Sequence, residues 1–556
     1  MLKKEEIFEF LKEIREHFKS PECKEEIKKK FSSSLPYDLE EEYFSMLFSN
    51  NTIIEVTAEK GEIINSDKRE VGNVSYITFI RPTTKKEFYG GAYGNGYYKI
   101  KPSSKEGFFK IIEKCRKESL NDAITNLAGY ISSASDNTGK NAIRKYDFFE
   151  TIQPTKYYSN FYLNFDYDLS EIEEIAINIS KNLDRSKVVD ESGEIEILSL
   201  KNEKMLVNSE GTEIIYDPSS TFEIYMNAFV KTGIGKIKIT EKIREKNLED
   251  ILKEKKIEKK ILDLEKKIIN QKNAINIKPG TYDILFIEKS YADAVHEAGA
   301  AHLFSLSYQV DDMVGIFSLE DIGKKIGNEN LSVILDPFYP GKGEWGYYNI
   351  DDEGTPAKKV NLISNGFLEN FICDRKSKAK LKFLDSIDLE LNGHARAEDI
   401  KEYVEPRVSN LLVRWNQKLK NEKEILYFFI EMLKRKGKSY GILFNSSAGE
   451  VNLLEEERED SDEDQEVRKT ICTLYPSEAF LINLDGKITP ILKNISLNFM
   501  PRSIFENIAF VGGEYVKENH YCGSDSGCIT TLSESPSLVV VENLTIEKSR
   551  ISNKRE

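Results

Sequence analysis

The chain has 556 residues, 40% hydrophobic and 31% charged, with a formal net charge of −15. That length and balance suit a soluble globular protein of two to four domains. The negative charge argues against general nucleic-acid binding, which needs a basic surface, and no apolar run reaches the roughly 18 residues of a membrane span.

In chain order, residues 1 to 50 read as helical. Leu2, Ile7, Phe8, Leu11, Ile14 and Phe18 form an amphipathic stripe rather than the apolar core of a signal peptide. Strand-like runs follow at Ile53 to Thr57, Ile63 to Ile64 and Val74 to Ile80, an antiparallel meander cut by Gly61 and Gly72. Gly90, Gly91, Gly94 and Gly96, interleaved with tyrosines, match no phosphate-loop spacing and read as a turn at a strand end. Residues 104 to 134 and Ser170 to Leu183 are predicted helices. Ile195 to Leu206 and Ser219 to Ala228 alternate like strands about a turn at Asn208 to Gly211. Residues 240 to 275 read as one long Lys/Glu helix with an Ile/Leu stripe, and Asn273 to Gly280 as a boundary.

A strand at Tyr282 to Ile287 leads to a helix near Tyr291. Ile350 to Pro356 (IDDEGTP) is a carboxylate-rich polar turn without the alternating ligand pattern of an EF-hand. Asn365-Gly366 and Asp485-Gly486 mark hairpins. Residues 412 to 436 are predicted helical, Glu455 to Glu466 reads as a solvated acidic loop, and Leu538 to Ile546 is the last strand. The six cysteines, at 23, 115, 373, 472, 522 and 528, form no disulfide framework, so a reducing cytoplasm is the expected compartment.

The chemistry concentrates at His296-Glu297-Ala298-Gly299-Ala300-Ala301-His302, which holds two of the five histidines. Two imidazoles and a carboxylate are typical parts of a zinc hydrolase site. In H-E-x-x-H the histidines lie roughly 40° apart around a helix. At i+6 they are roughly 240° apart on a regular α-helix. Either the helix is bulged, or it ends near Gly299, or only one histidine binds metal.

Several stretches, taken in order, resemble the TldD/PmbA family, proposed zinc-dependent metallopeptidases also called modulators of DNA gyrase. They are TYDILFIEKSYADAVHEAGAAH, IDDEGTP, VNLISNGFLENFICDR, NGHARAEDIKEYVEPRVSN, GILFNSSAGEVNL, SEAFLINLDGKITPIL, YCGSDSG and PSLVVVENLTI, from about 280 to 548. A fainter likeness covers YFSMLFSNNTIIEVTAEKGEI and the glycine-tyrosine stretch. The resemblance implies zinc held by His296, His302 and Cys522, with Glu297 as general base. Here the motif is HExxxxH, one residue longer than the family's, and the segment after it (LFSLSYQVDD) also departs. A bulge over Gly299 to Ala301 could absorb the extra residue.

His520, two residues from Cys522 on a strand, is the candidate substitute ligand. His394, Arg396 and Arg407 are candidate substrate-binding residues, and Cys528 reads as a buried small apolar side chain.

The expected fold is α+β, antiparallel sheets with flanking helices, in an N-terminal half and a larger C-terminal half carrying the site. The expected divisions are 1–135, 136–277 and 278–556. The expected function is zinc-dependent hydrolysis of unfolded or small peptides by a homodimer, or by a heterodimer with a second family member, with no nucleic-acid or membrane partner. The alternatives are a metal-free PmbA-like partner subunit that shapes the peptide site, and a thiol enzyme using Cys522 as nucleophile.

Overall fold

In a computed structural model the described residues are 2–31, 38–83, 90–134, 146–159, 167–217, 220–300, 302–310, 317–384, 389–456 and 467–549. Most of the expected acidic loop (457–466), Ser219, Ala301, Asp311 and Asp312 lie outside them.

The fold is α+β, built on two large sheets. The first has eight strands and takes in chain from Leu39 to Glu245. Leu39–Glu59 and Glu62–Pro82 form a long antiparallel hairpin, turning at Lys60 and Gly61, both at positive φ. Glu191–Asn208 pairs with Leu39–Glu59, so strands on either side of residue 135 share one sheet. Near residue 277 the chain passes to a second, eleven-stranded sheet. Five of its strands close a ring: Gly280–Ile287, Tyr440–Glu456, Val467–Asn483, Ile495–Phe499 and Gly527–Lys548, which pairs back with the first.

Burial on both faces explains why the strand Gly280–Ile287 is apolar at every position from Ile284 on. Ile284 and Phe286 enter the main core beside the helix Ser290–Val295, while Leu285 lies beneath the helix Glu422–Arg435 with Ile425 and Phe429. Asp283 is buried in this strand and ion-paired to Lys436 at 3.0 Å and Lys438 at 2.8 Å.

The amphipathic N-terminal helix is present at Lys4–Phe18, burying Ile7, Phe8, Leu11, Ile14 and Phe18. The structure corrects four other expectations. Residues 39–50 are strand: Tyr43 to Ser49 are all buried, so the stretch shows neither period. Gly94 and Gly96 lie inside the strand Ala92–Ile100, and a Cβ at 96 would sit 1.9 Å from the Cys115 carbonyl oxygen. These glycines let the helix Lys105–Ala134 approach the sheet backbone. Residues 240–245 belong to the strand Gly235–Glu245, and the regular Lys-rich helix begins only at Lys256, after Lys255 at φ 53°. Leu411–Trp415 is a strand, and the next helix starts at Glu422 behind an Asn421 cap.

Candidate metal and peptidase site

Strand Gly280–Ile287 hands the chain to helix Ser290–Val295, and the helix changes character at the motif: residues His296–Ala300 form a π-turn. The amide of Phe304 donates to the Gly299 carbonyl at 2.9 Å, an i→i+5 bond enclosing one residue more than an α-helical turn. This wider turn absorbs the long spacing between the histidines. Gly299 is required there, because a Cβ would come within 2.4 Å of the Phe304 ring. The His296 and His302 rings stand perpendicular with centroids 6.0 Å apart.

The third group comes from the same sheet, one strand beyond Gly527–Lys548. Strands Ile508–Ser524 and Gly527–Lys548 form a hairpin that places Cys522 near its tip. Ligand atoms of His296, His302 and Cys522 all lie within 4.8 Å of one another. His296 Nδ1 is buried without a hydrogen-bond partner. An orphaned imidazole nitrogen beside a second imidazole and a thiol is a donor set that fits zinc.

Electrostatics follow from burial. Desolvation lowers the pKa of His296, and it pushes His302 down to about 3 with help from the His296 and Arg407 charges. Both rings are therefore neutral at pH 7, as metal-binding imidazoles must be. Desolvation raises Glu297 to about 7. Its carboxylate lies 4.0 Å from His302 Nε2, and its backbone carbonyl accepts from Cys472 Sγ at 3.4 Å.

The cluster opens on a cavity of about 470 Å³, whose wall includes His296, Glu297, His302, Tyr308, the strand segment Ser447 to Val451, and Asp525. Lys242 and Arg244 reach it from the other sheet. Sequence reasoning missed Tyr308, Ser447 to Val451 and Lys242, since no spacing ties them to the histidine motif.

The remaining candidates occupy other places. His520 lines the cavity, its ring 5.2 Å from His296, but its Nε2 is engaged with the Ser533 hydroxyl. His394 is fully buried, bonded to the Asn392 carbonyl (2.9 Å) and Ser409 Oγ (3.1 Å). Arg396 donates to the Thr530 carbonyl at 3.2 Å and lies over the Tyr348 ring. Arg407 donates to the Cys522 carbonyl at 2.6 Å and to the Gly527 carbonyl at 2.9 Å. None of these three lines the cavity; Arg407 instead clasps the hairpin that carries Cys522. Cys528 is exposed, contrary to expectation. It pairs across the hairpin with Gly523, one position from Cys522, so it points from the opposite face.

A family model described as the PmbA/TldA metallopeptidase C-terminal domain matches residues 279–455. A metalloprotease of Methanocaldococcus jannaschii is 24% identical over 392 residues, covering 66% of this chain and 74% of that protein. A zinc metalloprotease TldD homolog of Saccharolobus solfataricus is 27% identical over 212 residues, 38% of this chain and 44% of its own length. The alignment with a metalloprotease TldD homolog of Buchnera aphidicola, 31% identical over 229 residues, covers 40% of each chain. Among solved structures, a Thermotoga maritima protein described as a proposed modulator of a DNA gyrase superposes with TM-score 0.62 at 15% identity, over 94% of this chain and 100% of that one. TldE of Thermococcus kodakarensis superposes at 0.59 and 15% identity, over 94% and 99%. With the ordered motifs and the shared fold, these matches give one assignment: the chain belongs to the TldD/PmbA family.

Proposed function

We propose that this chain is a zinc-dependent peptidase acting on small or unfolded peptides. The observation that carries this reading is the convergence of His296, His302 and Cys522 within 4.8 Å across the π-turn, beside Glu297. His296, His302 and Cys522 would hold the ion. Zinc, when bound, supplies a Lewis acid and eases the deprotonation of water. Glu297, with a pKa near neutrality, takes the proton of the attacking water and returns it to the leaving amine. Tyr308, whose pKa burial raises, stays protonated and presents a donor to the same cavity.

A second subunit of the family, either another copy or a relative, is the expected partner. A reducing cytoplasm suits the six free cysteines.

The test is metal content and peptide turnover. Wild-type protein should carry about one zinc per chain. His296→Ala, His302→Ala and Cys522→Ala should each lose it, and His520→Ala should keep it. Glu297→Gln should keep zinc and lose turnover. A wild-type protein that takes up no zinc when zinc is added would sink the peptidase reading and leave a metal-free partner subunit in its place.

A further inference from the structure

We infer that the cleft selects peptides bearing carboxylates on one side of the cleaved bond, through a basic arm that leads away from the histidine-cysteine cluster. The inference rests on the peptidase reading for what enters the cleft. It adds the charge class of the substrate.

The cavity at the cluster continues into a groove of about 630 Å³, and the two share Lys242 and Arg244. These residues are i and i+2 on the strand Gly235–Glu245, so both project from one face, with the buried Ile243 on the other. Beyond them the wall is formed by Lys256, Lys259 and Lys260 at the start of the Lys-rich helix, and by Lys517 from the strand that also carries Cys522. Positions 256, 259 and 260 fall on one helical face.

Six cations line this arm against four carboxylates, Glu245, Asp263, Glu344 and Glu518. Several of the cations have partners, but some of those partners stand behind the wall. Lys260 pairs with Glu241 at 3.1 Å, Arg244 with Glu223 at 3.0 Å, and Lys517 reaches Glu534 at 3.8 Å, and none of these three acids lines the groove. Of the four acids on the wall, Glu518 is taken by Lys289 at 2.8 Å and Glu245 by Lys256. Lys259 has no ion pair among the described residues.

The sign of the charge is local. The chain as a whole carries −15, and the end of the cleft around the cluster carries four acids, Asp293, Glu297, Glu450 and Asp525, against one further cation, Lys289, which pairs with Asp293 at 3.6 Å. The cleft is thus polarised, acidic at the cluster and basic along the arm. Low-dielectric walls focus such a field and favour a ligand of matching polarity. A peptide whose Asp or Glu residues, or terminal carboxylate, lie along the arm meets lysines there, whereas a basic flank meets like charge.

The test uses three labelled peptides with one central sequence, flanked on either side in turn by Asp-Glu, Gln or Lys residues. Affinity is measured by fluorescence anisotropy on Glu297→Gln protein, and kcat/KM on the wild type. The acidic flank should bind tighter than the Lys flank by about tenfold at low salt, in one of the two placements, with the advantage shrinking as salt rises. Lys259→Glu and Lys517→Glu, checked for folding by thermal melting, should abolish the preference. Equal affinity for the three peptides, no binding of any, or a preference that survives both charge reversals would overturn the inference. Preferential binding of the acidic peptide without cleavage of any would uphold it and refute the peptidase reading instead.

Discussion

Gly449 and Glu297 are in contact across the site. A Cβ at 449 would lie 2.6 Å from Glu297 Cγ and 2.7 Å from its Oε1. Gly449 lies on the strand Tyr440–Glu456, whose partner Gly280–Ile287 ends at the start of the motif helix. The missing side chain is what leaves room for the carboxylate beside His302.

Gly449→Ala should therefore move Glu297 without touching a metal donor. Displacing a catalytic group by about 1 Å costs on the order of 10² in rate. Turnover should fall by that order while zinc per chain stays unchanged. Unaltered kcat in a zinc-replete Gly449→Ala protein would show that the Glu297 position does not limit the reaction.

Arg407 acts on the site through the hairpin. Its guanidinium holds the Cys522 and Gly527 carbonyls and the Ser526 hydroxyl, so it fixes the turn that presents the thiol. Arg407→Met leaves the buried Cys522 carbonyl without its donor, at a cost of roughly 1–3 kcal/mol, and the part-buried Gly527 carbonyl also loses its partner. The variant should lose stability in urea and, as a separate readout, bind zinc more weakly in competition with a chelator. Arg407→Lys should recover part of both. A variant that is destabilised but binds zinc with wild-type affinity would make Arg407 a general structural residue and not a positioning residue for Cys522.

The residue types of the site were legible in the sequence, and its geometry was not. His296, Glu297, His302 and Cys522 stand out by type and by family resemblance. A fixed 100° per residue, however, sends the two histidines to different sides, and only the π-turn at His296–Ala300, followed by the bond from the Phe304 amide to the Gly299 carbonyl, reunites them. Arg407 reads in sequence as a substrate-binding cation, because sequence does not show that a guanidinium is enclosed by the backbone of a hairpin more than a hundred residues away. Hairpins with a clear turn, such as Asn365-Gly366, are where the sequence places them. Buried strands such as residues 43–49 carry no alternation, and the charged run 240–255 has helical composition but begins as a strand. In both, tertiary pairing overrides local pattern.

His394 sets a pH dependence that can be read on stability alone. The ring is enclosed and bonded through both nitrogens, and burial lowers its pKa from 6.5 to about 4. In the unfolded chain it takes up a proton near pH 6.5, and in the folded chain only near pH 4. Between these values the unfolded state binds more protons, so the contribution is fully present above pH 6.5 and is lost as pH falls through 4. It amounts to about 1.4 kcal/mol per pH unit, or roughly 3 kcal/mol in all. Urea unfolding of chelator-treated protein from pH 8 to pH 4 measures it. His394→Gln should be less stable than the wild type at pH 8, because the packed imidazole and its bonds are disturbed, and its stability should fall less steeply with acid. The gap between the two proteins should therefore narrow toward pH 4. Parallel curves would mean that His394 is protonated at the same pH in the folded and unfolded chains, and that its enclosure beside Tyr348 and Ser409 opens to water.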